Sequence, residues 1–243
     1  QIVPLPHSAR PLLAACDGET TLEQIADRFG QAGLALVALL YERGLVELLD
    51  FARSEVFVTA AWGLRRLAVP HTLDAMFDKF RRETEKTQQT RRMETGVAEQ
   101  LCQLIEAFGQ MGYAKADSLL RAYIPKSSPF HPECRAAAIW TLGHLHTGEP
   151  DAELVRLFVA RLSDVESMEP EVGEVRLASA VSLGRMKAEA ALPTLRRFLE
   201  GETVNSPVGY ACAWAIQQIT GEPIPEFQPY KAWRSGWFLE PLD

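Results

Sequence analysis

Histidines and a cysteine bring this chain closest to metal chemistry: His144 and His146 stand two residues apart, and His131 precedes Cys134 by three. Such residue types hold zinc or iron when several of them converge. Side chains two apart on a helix point roughly 200° from one another, so His144 and His146 do not readily share one ion. There is no HExxH, GxGxxG or GxxxxGK[ST] pattern, and no nucleophile stands beside a base in a recognisable motif. These observations point to a non-catalytic chain, with no cofactor and no metal expected.

Three other groups of residues could act through binding. The cysteines Cys16, Cys102, Cys134 and Cys212 lie far apart without CxxC spacing. They are expected to be reduced thiols, mostly small buried hydrophobes, in a cytoplasmic protein. Trp62, Trp140 and Trp214 recur at one register position, where Val181 also stands. They suit core packing, and the alternative is an aromatic ladder gripping a ligand. The main charge run, DKFRRETEKTQQTRRMET, sets Lys79, Arg81, Arg82, Lys86, Arg91 and Arg92 against Asp78, Glu83, Glu85 and Glu94. It fits a solvated helix stitched by i,i+4 pairs or a docking patch for an acidic partner.

The elements that must position these residues are announced by a recurring apolar phrase: AAWGLRRL, IEAFGQM, AIWTLGHL, AVSLGRM and ACAWAIQQI. Aligned on Leu64, Phe108, Leu142, Leu183 and Ile216, the copies lie 44, 34, 41 and 33 residues apart. A period of that size marks a helical solenoid, in which each helix buries its apolar face only by stacking on its neighbours. The expected pairs are 55–68 with 71–82, 97–111 with 114–124, 132–146 with 151–162, and 172–186 with 190–199. A fifth first helix, 208–220, lacks a partner. Trp233, Trp237 and Phe238 in the tail are expected to cover it.

Charge is distributed unevenly around the net −7 of the 243 residues. Residues 1–50 hold 3 basic and 7 acidic side chains, residues 51–95 hold 9 and 6, and the remainder hold 13 and 19. Only the middle segment is basic, which disfavours nucleic acid as a partner. No run of about 18 apolar residues is present to form a membrane helix. The start QIVPLPHSAR has neither an initiator Met nor the order of a signal peptide, and is expected to be a piece of a longer protein.

Residues 8–49 form a unit distinct from the repeats, with three short helices and a strand expected at 45–49. LLAACDGETTLEQIADRF followed by ALVALLYERGLVEL resembles the PqqD-like winged-helix module, which binds a leader peptide by adding it as a strand. That resemblance implies a groove between an edge strand near 2–5 and the third helix. The alternative is a cap shielding the first repeat.

The phrases AAIWTLGHL and ASAVSLGRM, with the follow-on helices VPHTLDAMF and AALPTLRRF, resemble HEAT-like repeats of the short bacterial type first noted in phycobilisome lyases. AWAIQQITGEPIPEFQPYKAWRSGWF is similar to the terminal repeat of such arrays. Iron-binding HEAT enzymes carry HE pairs, and this chain has no HE dipeptide. HEAT-like DNA glycosylases need a cationic channel, whereas the repeats after residue 95 are acidic.

The expected architecture is therefore all-α: a winged-helix-like module at 1–50 and, at 51–243, a HEAT-like superhelix of about five helix pairs with a tryptophan-bearing cap. The expected function is a protein or peptide binding scaffold with an acidic partner. Its expected contact residues are Lys79, Arg81, Arg82, Arg91, Arg92, Arg121, Arg156, Arg161, Arg196 and Arg197. The alternatives are a chromophore-lyase-like subunit that binds a tetrapyrrole and a DNA-binding regulator that uses residues 1–50.

Overall fold

A computed structural model describes residues 10–15, 20, 24–25, 27–30, 61–65, 68, 70–93, 95–166, 168–201 and 206–224. The expected strand at 45–49, most of the winged-helix-like unit and the tryptophan-bearing tail lie outside these residues. All regular structure among the described residues is helical.

The helices are α1 (Arg10–Ala15), α2 (Leu73–Thr90), α3 (Thr95–Gln110), α4 (Asp117–Leu120), α5 (Pro132–Leu145), α6 (Ala152–Ser163), α7 (Gly173–Arg185), α8 (Leu192–Gly201) and α9 (Pro207–Thr220). Residues 61–65 are also helical. None of the described helices is long and apolar enough to cross a membrane.

The apolar phrases become one layer, with α3, α5, α7 and α9 packed side by side in chain order. The intervening helices form a second layer. There α2 packs on α3, α4 and its flanking turn pack on α5, α6 packs on α7, and α8 packs on α9. Each second helix thus leans on the first helix of the following pair, and the result is a HEAT-like α-α solenoid. One continuous apolar core, from Ala61 to Ile216, runs through it.

Local chemistry sets the helix ends. Pro132 opens α5 and Pro207 opens α9, where proline's missing N–H costs nothing. Asp151 caps α6 by accepting from the Leu154 N–H at 2.8 Å, and Ser206 caps α9 by accepting from the Gly209 N–H at 2.9 Å. Gly221 ends α9 with φ 79°, a left-handed conformation that glycine adopts without a Cβ clash.

Two elements depart from expectation. Helix α2 continues past Arg82 to Thr90, as the helix reading of the charge run expects, but it is not solvated all round: Thr84 and Thr87 carry on the buried stripe of Leu73, Met76 and Phe80. Thr84 shares a hydrogen bond with the Tyr123 hydroxyl at 2.7 Å, which satisfies both buried groups. The helix expected over 114–124 is instead divided into a 3-10 turn at Ala114–Ala116, α4, and a second 3-10 turn at Arg121–Tyr123. The chain tightens where Tyr123 stacks on Phe130, with ring centroids 3.7 Å apart.

The first layer is held at close range by small residues. A Cβ at Gly143 would lie 2.8 Å from the Ser182 Cα, and one at Gly184 would lie 2.6 Å from the Ala215 Cα. Gly109 stands at the same register, where an added Cβ would lie 3.2 Å from the Thr141 Cα. Across two of these joints a hydroxyl reaches back to a carbonyl of the preceding first helix. Thr141 donates to Ile105 at 2.8 Å, and Ser182 donates to Ile139 at 2.9 Å. The glycines bring backbones together, and the hydroxyls set the register.

Candidate interaction surface

The ten basic residues singled out from the sequence fall into two groups. Arg121 is only partly exposed, because it joins three acidic side chains from two helix pairs. Its Nε donates to Asp117 at 2.7 Å, and its other nitrogens reach Asp151 at 3.3 Å and Glu153 at 3.1 Å. His146 meets the same Asp117 at 2.6 Å. Burial alone would raise the Asp117 carboxyl, but Arg121 and His146 together hold it below its ordinary value.

Arg161 is likewise partly buried, bonded to Glu171 at 3.1 Å with Asp164 at 3.9 Å. The expectation that Arg121 and Arg161 are exposed contacts is thereby corrected. Both connect segments within the chain, because each lies where a second helix meets the next pair. Lys79 is also largely covered and pairs with Glu83 at 2.9 Å along α2.

The remaining residues face solvent. Arg196 forms a two-pronged pair with Glu222, Arg197 reaches Glu166 at 3.3 Å, and Arg81 reaches Asp78 at 2.8 Å. Arg91 donates to the Ser127 carbonyl at 3.1 Å while its own backbone ends α2 in a left-handed conformation, φ 52°. Arg82, Arg92 and Arg156 are exposed and have no acidic partner among the described residues.

Pairs between distant residues were not legible beforehand. Arg135, near the start of α5, donates to both oxygens of Glu171, at 3.0 and 2.5 Å, and to the Ile124 carbonyl at 3.4 Å. Glu171 also accepts from the Val172 N–H at 3.1 Å. Its burial would raise the carboxyl, yet these donors hold it below the usual range. Arg65 and Glu106 form a second buried pair between the first and second repeats. A buried arginine beside the apolar phrase is the one signal that could have revealed these pairs, because it requires an acid nearby.

The metal-like histidines diverge. His144 packs its ring 4.1 Å from that of Trp140, while His146 turns to Asp117. Burial, aided by the Arg185 charge, lowers His144 to about 4, so it is neutral at pH 7. Of the three tryptophans in register, Trp140 is buried, Trp214 is partly buried, and Trp62 is exposed. Trp140 packs against Gly109 and Trp214 against Gly184, which places both in the joints between repeats.

Comparison with curated proteins gives no match. A family model described as PBS lyase HEAT-like repeat matches residues 175–201. That segment holds most of α7, the 3-10 turn at Glu189–Ala191 and α8, which form the fourth helix pair. The two-layer packing and this match together support HEAT-like repeats, with regular structure that is all helical among the described residues.

Proposed function

We propose that the chain is a non-catalytic scaffold that binds an acidic protein or peptide along the outward face of α2 and the loop after it. The unequal engagement of the arginines carries this reading. Those at the joints between pairs, Arg121, Arg135 and Arg161, are tied to internal acids. Arg82 and Arg92 stand exposed without one among the described residues, beside Arg81 and Arg91 with one contact each. Guanidinium groups presented in this way suit bidentate contact with carboxylates. A solenoid supports such contacts because it offers an extended surface on a rigid spine.

The test is to change Arg81, Arg82, Arg91 and Arg92 together to Glu and probe an array of acidic, neutral and basic peptides. Wild-type protein should select acidic peptides, with association slowing as salt rises, and the variant should lose that selection while its helical circular dichroism is unchanged. Equal binding by both proteins would overturn the reading. The repeat match favours one second reading, a subunit that binds a tetrapyrrole. Visible absorbance retained after co-expression with a bilin pathway would support it over the first.

A further inference from the structure

Three sulfur atoms from three separate segments meet inside the core between the second and third helix pairs. Cys102 lies on α3, Cys134 in the first turn of α5, and Met93 in the link between α2 and α3. The Cys102 and Cys134 sulfurs are 3.2 Å apart, and the Met93 sulfur lies 4.0 Å from that of Cys134. The Cys134 S–H donates to the Ala98 carbonyl at 3.2 Å, which leaves its sulfur to accept from Cys102. All three are buried, and Met93 is the most accessible at 8%.

We propose that Met93, Cys102 and Cys134 form a binding site for a soft monovalent metal ion of the copper(I) class. Thiol and thioether sulfur select such ions, whereas magnesium, calcium and manganese require oxygen donors. Three sulfurs around one ion at about 2.3 Å would stand about 4 Å apart, which is the present separation of Met93 and Cys134. Cys102 and Cys134 need to part by only about 0.8 Å, within the reach of small χ1 adjustments.

Charge distinguishes among the metals. A buried site disfavours any change in net charge, and exchange of one S–H proton for one monovalent ion makes none. In that exchange one sulfur–hydrogen bond breaks, a sulfur–metal bond forms, and the proton leaves to solvent. Zinc would add a second charge and lacks a fourth protein ligand here.

The test adds copper(I), as its acetonitrile complex under nitrogen, to the reduced chain in a Cys16→Ser, Cys212→Ser background, against a chromophoric copper(I) chelator. The expected result is one ion bound per chain, an ultraviolet sulfur-to-copper band and release of one proton. Cys102→Ala and Cys134→Ala should each weaken binding about tenfold or more, and Met93→Leu should weaken it measurably. Circular dichroism checks that each variant is folded. Copper left with the chelator by the folded parent chain would overturn the proposal, as would equal affinity in the cysteine variants. A parent chain that instead loses two hydrogens in air, forms a Cys102–Cys134 disulfide and shows no copper affinity once reduced would also overturn it.

Discussion

The two layers of this solenoid are joined by opposite means. Between first helices the joint consists of side chains that are missing or short: Gly109 against Thr141, Gly143 against Ser182, and Gly184 against Ala215. Where second helices and linkers meet the next pair, the joint consists of charge: Arg121 with Asp117 and Asp151, and Arg135 and Arg161 with Glu171. Close-packed backbone leaves no room for addition, whereas charged contacts fail mainly when one partner is removed. The two joints should therefore respond to different substitutions.

The largest effects belong to deletions inside the joints. Trp140→Ala should cost about 3–5 kcal/mol in chemical denaturation, because it leaves a cavity over Gly109. Arg135→Ala should cost about as much, by stranding the buried Glu171 carboxylate. Replacing Arg135 and Glu171 together with Met and Leu should recover most of the second loss. Failure to recover it would show that the pair contributes more than mutual neutralisation.

Addition to the first layer comes next. Gly143→Val should cost about 1–3 kcal/mol through overpacking. Adding Ser182→Gly should rescue only part of this, because the Ser182 Cα remains 2.8 Å from the new Cβ position. Full rescue would place the tight contact in the serine side chain rather than in the backbone.

Acid separates the layers in a third way. His144 is lowered to about 4, so below about pH 6.5 the unfolded chain binds a proton that the folded chain refuses. Stability should therefore fall between about pH 6.5 and 4, and His144→Phe should flatten that part of the profile. The Glu171 carboxyl is depressed, so its contribution should persist down to the ordinary carboxylate value of 4.5 and be lost as pH falls from there through its lowered value. An unchanged profile in the histidine variant would remove His144 as the acid-sensitive group of the first layer.

The smallest effects lie outside the buried joints. Arg121→Ala, in a partly exposed network, should cost less than about 1 kcal/mol and less still at high salt. Arg82→Glu with Arg92→Glu should shift stability by no more than about 0.5 kcal/mol, because neither side chain has an acidic partner among the described residues. A large loss in the latter variant would mean that the surface of α2 contributes to the fold.

Much of this architecture was readable from periodicity, because first helices announce themselves as apolar phrases and second helices as narrower stripes. Helix α5 appears within one residue of its expected end at His146, and α9 starts one residue before the expected 208. The extension of α2 agrees with the solvated-helix reading of the charge run, but its buried side went unread because Thr84 and Thr87 count as polar by type, Thr84 lying against Tyr123. Arg121 and Arg161 were misread as exposed because Asp151, Glu153 and Glu171, which they also meet, belong to other segments. Local spacing records what shares a helix face, and it is silent about what a linker brings back. Met93, Cys102 and Cys134 were unconnected for the same reason.

One linker shows what this implies for repeats as exchangeable units. The copies at Leu142 and Leu183 are 41 residues apart, against 34 for the copies before them, and the longer stretch includes the segment from Asp164 to Glu171. The Glu171 N–H closes that segment onto the Asp164 carbonyl at 2.9 Å, and its carboxylate locks onto arginines of α5 and α6. The added length is thus a key cut for its neighbours. A shorter repeat spliced in at this point would preserve the apolar phrase and leave Arg135 buried without its acid, so an engineer would have to exchange the third and fourth pairs together.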